Sequence, residues 1–321
     1  MLYHCGRRIL YSFALLAGVS VLSFALVSLA PGDFFETMRL NPRISERAIQ
    51  ALRSQHGVDR PLIVQYFLWV RSILSGEWGF SFAYNSPAAP ILFVRARNTL
   101  LLTGPATLLA WFIAIPFGVW SAVRPGRLPD LLVRGTTSAL LAVPDLVLAL
   151  LLFMCAVKTG YLPPGGMLSL DFSDLGTWAK CKDFASHLFL PSLCLTAGLL
   201  PLLLSHTRTA MVEVLGSPFI AAAHGYGIPV QRLLFRHALP AAGNPLISLF
   251  GFSMGILLSS SLLVEVIFSW PGLGQLLLEA ILQRDFYLVI DSAMLATVFL
   301  IAGNLVADIL LYANDPRIRA A

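Results

Sequence analysis

Residues 99–123 read TLLLTGPATLLAWFIAIPFGVWSAV, twenty-five positions without a charged side chain. A helix needs about 20 apolar residues to cross a bilayer core. This stretch therefore makes the chain an integral membrane protein. Five further segments fit the same template: 9–29, 135–157, 188–205, 245–264 and 286–312. Together they predict an all-α integral membrane fold with six transmembrane helices. Pro105, Pro116, Pro144, Pro191 and Pro201 lie inside these spans. Neighbouring helices can re-satisfy the carbonyls that proline frees, so the prolines predict kinks.

Composition agrees. Only 12% of the 321 residues are charged, against about 25% in a soluble domain. That leaves too little polar surface for a soluble enzyme, a disordered chain or a coiled coil. Three lysines against nineteen arginines do not suit a basic nucleic-acid binder. Cys5, Cys155, Cys181 and Cys194 have no paired short spacing, so neither a disulfide framework nor a zinc site is indicated. They read as packing thiols.

Arginine and lysine placement sets the orientation. With the N-terminus inside, the inner side holds Arg7, Arg8, Arg124, Arg127, Arg134, Arg208, Arg232, Arg236, Arg317 and Arg319. The short outer loops hold only Lys158, Lys180, Lys182 and Arg284. Both termini are predicted to be cytoplasmic. The first apolar run is too long for a signal-peptide core, and no small-x-small site follows it, so it is read as a retained span. The chain divides into 1–29 (cytoplasmic end and first span), 30–98 (an extracytoplasmic cap) and 99–321 (the core of five spans).

Two loops are longer than connectors need to be. In the outer one, Ser45 reads as the N-cap of a helix that starts at Glu46. The cap is either a solvated loop or a docking surface. The inner loop, 206–244, opens with Ser217-Pro218, an N-cap followed by proline at N1. Phe219, Ile220, Ala221, Ala222, Ala223 and His224 form a short helix. Gly225 and especially Gly227 suit a left-handed cap. Pro229 then opens a second short helix through His237, and Pro240 follows. Phe219 and Ile220 place apolar side chains at the tip. They either face a protein partner or fold back on the bundle.

The inner loop resembles the EAA motif of ABC importer permeases. Ala221-Ala222-Ala223, three residues, Gly227, nine residues and His237-Ala238-Leu239-Pro240 reproduce its spacing, with Ala221 in place of the acid. Other blocks resemble the first permease subunit of the peptide/nickel branch. These are Leu29-Ala30-Pro31-Gly32-Asp33, Asp59-Arg60-Pro61-Leu62 with Gln65-Tyr66, Gly76–Ser81, Leu162–Gly166, His187–Pro191, Glu265–Gly274 and Asn314–Arg319. They run in order over nearly the whole chain.

The resemblance implies a type I importer-like permease fold with a long extracytoplasmic loop after helix 1. It also implies a bacterial inner-membrane location and a heterodimer with a second homologous permease. Two cytoplasmic ABC ATPases and an extracytoplasmic substrate-binding protein complete the expected assembly. Ser217–His224, Gly227, Leu239 and Pro240 would couple the ATPases to the pore. His224 is either a polar contact there or simply solvated. The chain has no Gly-x-x-x-x-Gly-Lys-Ser/Thr loop. Hence it is read as a non-enzyme that binds no cofactor, with ATP and magnesium on the partner ATPases.

Acids inside spans are functional candidates. Asp145 and Asp291 either contact a cationic substrate group or sit in wetted cavities. Asp308 is expected to pair with an arginine. Ser259, Ser260 and Ser261 either line the path or pack helices. Glu265, with Trp270, Pro271 and Gly272, forms an outer turn or a gate. Peptides are the expected substrate, with nickel chelates, glutathione and sugars as alternatives in the same class. A secondary transporter is the rival outside it, but no internal repeat supports that reading.

Overall fold

A computed structural model of the chain describes residues 2–29, 32, 34–39, 45–55 and 60–314. Asp59 and 315–319 of the motifs above lie outside them, as do Ala30, Pro31 and Asp33. In chain order the elements begin with α1 (Leu2–Leu29), α2 (Phe34–Arg39), α3 (Glu46–Gln55) and α4 (Leu62–Leu74). A hairpin follows, β1 (Phe80–Ser81) and β2 (Ser86–Pro87), with Phe80 opposite Pro87 and Ser81 opposite Ser86. Next are α5 (Ala88–Val123), α6 (Leu128–Ala142), α7 (Asp145–Thr159) and α8 (Thr177–Leu215). Then come α9 (Pro218–Gly225), α10 (Val230–Leu233), a π-helical turn (Leu234–Ala238) and α11 (Leu239–Ala241). The last three are α12 (Gly243–Ile267), α13 (Leu273–Leu282) and α14 (Phe286–Asn314).

Five helices are long and apolar enough to cross a membrane: α1, α5, α8, α12 and α14. The sixth expected span is not one rod. α6 and α7 meet at a bend of 92°. Pro144 is the cause, and its effect is larger than a kink. It forces Val143 into extended backbone (φ −102°, ψ 115°), and Pro144 itself is extended (φ −59°, ψ 142°). The helix stops, and a new one starts at Asp145. By contrast, Pro105 and Pro116 sit within continuous α5, and Pro191 and Pro201 within continuous α8.

The chain forms two compact units. The first comprises residues 1–99 and 271–298. Its core is aromatic: buried Phe24 of α1, Trp69 of α4 and Ile290 of α14, with Tyr66, Phe286 and Tyr287 packed around them. Phe24 meets Phe286 edge-on at 4.9 Å between centroids. α5 starts at Ala88 rather than at 99, inside the expected outer loop. Its early turns carry Arg95, which reaches Glu279 of α13 at 3.6 Å. The Thr99 hydroxyl accepts the Leu273 N–H at 2.7 Å and so satisfies a first-turn donor of α13. α3 begins at Glu46, directly after Ser45, as the cap pattern predicts.

The second unit comprises 100–270 and 299–321. α8 is its hub, packing against α6, α7 and α12. At 1.5 Å per residue its 39 residues run about 58 Å, well beyond a bilayer core. α5 presents Leu102, Ala106, Ala110 and Ala114, all fully buried, at four-residue spacing. Four-residue spacing puts them on one face. The stripe ends at Gly118, where an added Cβ would lie 2.7 Å from the Thr207 side chain of α8. Small residues let the two backbones approach closely. Leu195, Leu199, Leu203, Leu257 and Trp270 complete this core.

Candidate functional site

α8 runs almost directly into the short helix α9. Ser217 holds extended N-cap backbone (φ −74°, ψ 150°), and Pro218 occupies the first helical position, as expected. The side-chain cap does not form. The Ser217 hydroxyl turns back and donates to the Val214 carbonyl. Pro218 has no N–H to satisfy, so the first turn has one orphan donor fewer.

The other end of α9 is closed by a Schellman motif. Ile228 N–H donates to the Ala223 carbonyl (3.4 Å), and Gly227 N–H to that of His224 (2.9 Å). Gly227 takes φ +77°, the left-handed region that favours glycine. Ala223 and Ile228 pack on the same buried cluster, the apolar contact that accompanies this motif. Gly225 is the last helical residue and has no left-handed role.

α9 has two distinct faces. Ile220 is 4% exposed and packs into a cluster with Val119, Met211, Leu233 and Ala238. Phe219 is 51% exposed and Tyr226 88%. Ala221, Ala222 and His224 are exposed as well. The expectation that Phe219 and Ile220 share a tip is thus corrected. At 100° per residue, adjacent positions point apart, so Ile220 anchors the helix while Phe219, Ala222 and Tyr226 form the outward side. Ala223 belongs to the anchored side, half-buried, not to the outward one. Tyr226 is not among the residues expected at this contact, although the sequence shows its i, i+3, i+7 spacing with Phe219 and Ala222.

The second short helix also differs from expectation. Pro229 precedes it as the N-cap, where an opening proline is expected at the first helical position, and Pro240 does not end it. A π-helical turn over Leu234–Ala238 lets the helical path continue through Leu239 and Pro240. Proline at 240 lacks the N–H that would bond to the carbonyl four residues back, and a wider turn absorbs that loss. Leu239 is half-buried and Pro240 exposed.

Between α6 and α8, Asp130 and Arg208 form an ion pair with Nε–Oδ1 at 2.6 Å and Nη2–Oδ2 at 3.0 Å. The Ser121 hydroxyl (2.7 Å) and Gly126 N–H (2.8 Å) also donate to Asp130. One carboxylate thereby ties the end of α5, the α5–α6 turn, α6 and α8 together. In the sequence, Arg208 is legible only as a topology charge. An acid in the first turn of a helix beginning Leu128-Pro129-Asp130, beside an arginine cluster, was the available signal.

The candidate path residues fall into separate places. Asp145 stands at the start of α7, at the break itself. It lines a cavity of about 40 Å³ with Ser260, Cys194 and Gly198. That volume admits ordered water, for which about 10–15 Å³ is enough. It is too small for a substrate. Ser259 is exposed and donates to the Gly255 carbonyl at 3.1 Å, and Ser261 is buried and donates to that of Leu258 at 3.0 Å. Glu265 is fully buried near the end of α12, and its carbonyl accepts the Trp270 N–H at 2.8 Å, forming the expected turn. Asp291, in the first unit, is fully buried, and its Oδ1 accepts from Trp69 Nε1 at 2.9 Å. Asp291 is thus a packing partner of α4. Asp308 is half-buried in α14. Among the described residues, no group of three His, Cys, Asp or Glu is placed to hold a metal.

Comparison with known proteins accords with this geometry. Residues 114–320 match the family described as "Binding-protein-dependent transport system inner membrane component". Residues 1–100 match "Binding-prot-dependent transport system membrane comp, N-term". The chain is 36% identical over 314 residues to the oligopeptide transport system permease protein AppB of Bacillus subtilis, covering 97% of this chain and 98% of that one. It is 31% identical over 336 residues to the dipeptide transport system permease protein DppB of Escherichia coli, covering 99% of each. The same identity, over 322 residues and 99% of each chain, relates it to the glutathione transport system permease protein GsiC of Salmonella paratyphi A.

Proposed function

The chain belongs to the family of binding-protein-dependent transport system inner membrane components, and on that premise we propose that it forms one half of the pore of an ATP-driven peptide importer. It is a permease subunit and not an enzyme. ATP is hydrolysed on separate subunits. The other pore half is a second, homologous permease. Two ABC ATPases dock from the cytoplasm, and a substrate-binding protein delivers peptide from outside. The protein sits in the bacterial inner membrane with both termini cytoplasmic. Residues 30–98 form the outer cap, and 99–321 the core with the coupling loop 206–244.

The observation that carries this reading is the two-sided helix α9. One face is anchored in the bundle by Ile220, and the other leaves Phe219, Ala222 and Tyr226 free for an ATPase groove. Ser217, Pro218, Ala221, His224, Gly227, Leu239 and Pro240 shape or flank this contact. A rigid, capped helix transmits displacement instead of bending. When the ATPases close, α9 moves, α8 moves with it, and the spans rock between inward and outward openings. Asp145 and Ser260 lie beside the broken helix pair, in a cavity too small for substrate within this subunit, and would meet substrate only where the second permease completes the path. A glutathione importer is the second reading, supported by the Salmonella relative.

The test is reconstitution with the cognate second permease, ATPases and binding protein in lipid vesicles. ATP-dependent uptake of labelled di- or oligopeptide is the expected result. Uptake of glutathione alone favours the second reading. Substrate movement without ATPases overturns both.

A further inference from the structure

Helix α4 is built inside out. Its hydrogen-bonding side chains Gln65, Tyr66, Trp69 and Ser72 are buried or half-buried, and each has a partner within the first unit. Gln65 Nε2 donates to the Arg60 carbonyl at 2.7 Å, and the Ser72 hydroxyl to that of Glu77 at 2.7 Å. The Tyr66 and Ser20 hydroxyls are bonded at 2.9 Å, and Trp69 Nε1 donates to Asp291 at 2.9 Å. The outward face is apolar instead. Ile63 is 71% exposed, Phe67 66% and Leu74 82%, with Val64 and Leu68 also exposed. A helix facing water shows the reverse arrangement. Lipid demands this one, because polar groups there must find partners inside the protein.

Depth agrees. Tyr66 meets α1 at Ser20, nine residues before that helix ends at Leu29, or about 13 Å along the axis at 1.5 Å per residue. Trp69 meets α14 at Asp291, five residues after its start at Phe286, or about 8 Å along it. Both distances fall within one leaflet, about 15 Å of a hydrocarbon core ≈ 30 Å thick. The exposed face is continuous in kind with that of the span beside it, where Leu22 and Leu26 of α1 are also exposed. Exposed Arg71 suits this position, since an arginine stem lies along apolar surface while its head reaches the headgroups. At thirteen residues α4 is too short to span.

We propose that α4 is inserted into one leaflet of the bilayer, with Ile63, Phe67 and Leu74 against acyl chains. It is a lipid-facing element of the region between the first and second spans, which is therefore not wholly aqueous. The proposal stands whatever the transported substrate is.

The experiment is site-directed spin labelling of the assembled importer in phosphatidylethanolamine–phosphatidylglycerol vesicles. The four native cysteines are replaced by serine, and single labels are placed through Phe67→Cys, Ile63→Cys and, as an aqueous control, Ser75→Cys. Retained ATP-driven uptake certifies each assembly. At 63 and 67, collisional relaxation by oxygen should exceed that by a water-soluble nickel chelate several-fold, with the order reversed at 75. Strong nickel access at 63 and 67 would mean that the face meets water, and weak access of both reagents that protein covers it. Either outcome overturns the proposal. If Phe67→Cys fails to assemble, Ile63→Cys carries the same reading.

Discussion

Arg208 holds Asp130 in a forked contact, Nε at 2.6 Å and Nη2 at 3.0 Å from the two carboxylate oxygens. Asp130 is 1% exposed, and its remaining acceptor sites are taken by Ser121 and Gly126. Asp130 is the buried member, while Arg208 keeps about a quarter of its side chain exposed. Removing one partner from a fully buried pair costs about 3–5 kcal/mol, and solvent reaching Arg208 puts this one at or below the low end of that range, while replacing both is often nearly neutral. Arg208→Leu should lower the unfolding temperature of the detergent-solubilised complex sharply. Adding Asp130→Asn to it should recover more than half of the loss. If Arg208→Leu unfolds with the wild type, this network contributes nothing to the fold.

Close helix contact predicts a second loss. An added Cβ at Gly251 of α12 would lie 2.8 Å from Asn304 Oδ1 and 2.9 Å from Ala307 Cβ of α14. Facing it, a Cβ at Gly303 would lie 2.7 Å from that of Met254. Here glycine is required by space, because Asn304, Ala307 and Met254 already fill the positions that a side chain would take. Gly251→Val should push α12 and α14 apart and cost about 1–3 kcal/mol, the usual range for overpacking. Thermal unfolding of the purified protein measures it. Gly104, with nothing within 4 Å of its added Cβ, should accept Ala with a much smaller change.

The long spans were legible because apolar run length is a property of the sequence alone. The expected 286–312 became α14 at Phe286–Asn314. What was hidden depended on partners. α5 continues outward past the apolar stretch because Arg95 and Arg97 do not interrupt helical hydrogen bonding, and Arg95 finds Glu279. Pro144 looked like the other span prolines, yet it alone broke its helix, since Val143 took up extended backbone before it. The faces of α9 were hard to read because Phe219 to Ala223 are all apolar, so only His224 and the spacing of Phe219, Ala222 and Tyr226 mark an outer side. Asp130 and Arg208 lie 78 residues apart, a pairing no local pattern announces.

Asp285 gives a pH prediction. It lies just before α14, fully buried, and burial raises its pKa above the ordinary carboxylate value. Hydrogen bonds from Ala83 N–H (3.0 Å) and the Ser81 hydroxyl (2.7 Å) act in the opposite direction but do not cancel it. A raised folded-state pKa contributes stability that is fully present below the unfolded value, near 3.9, and lost as pH rises through the folded one. Asp285→Asn keeps an acceptor for Ser81 and Ala83 but has no charge to bury. Above pH 4, the unfolding temperature of the wild type should therefore fall relative to that of the variant. Parallel curves from pH 4 to 8 would show that Asp285 bears no such penalty.

The coupling assignment is tested by separating anchor from contact on one helix. Ile220→Ala empties a buried position and should cost about 2–5 kcal/mol of stability. Phe219→Ala and Tyr226→Ala remove exposed side chains and should leave the unfolding temperature nearly unchanged, while lowering substrate-stimulated ATP hydrolysis and transport in the assembled complex. Gly227 provides a third, different defect. Its added Cβ would meet nothing within 4 Å, so any penalty there comes from φ +77° alone. Replacing glycine at a left-handed position costs about 1–2 kcal/mol for most residues and less for asparagine. The expected order of coupled ATPase activity is thus wild type, Gly227→Asn, Gly227→Val. Full coupling in Phe219→Ala/Tyr226→Ala would remove the outward face from the ATPase contact, and full coupling in Gly227→Val would remove the cap from the transmission path.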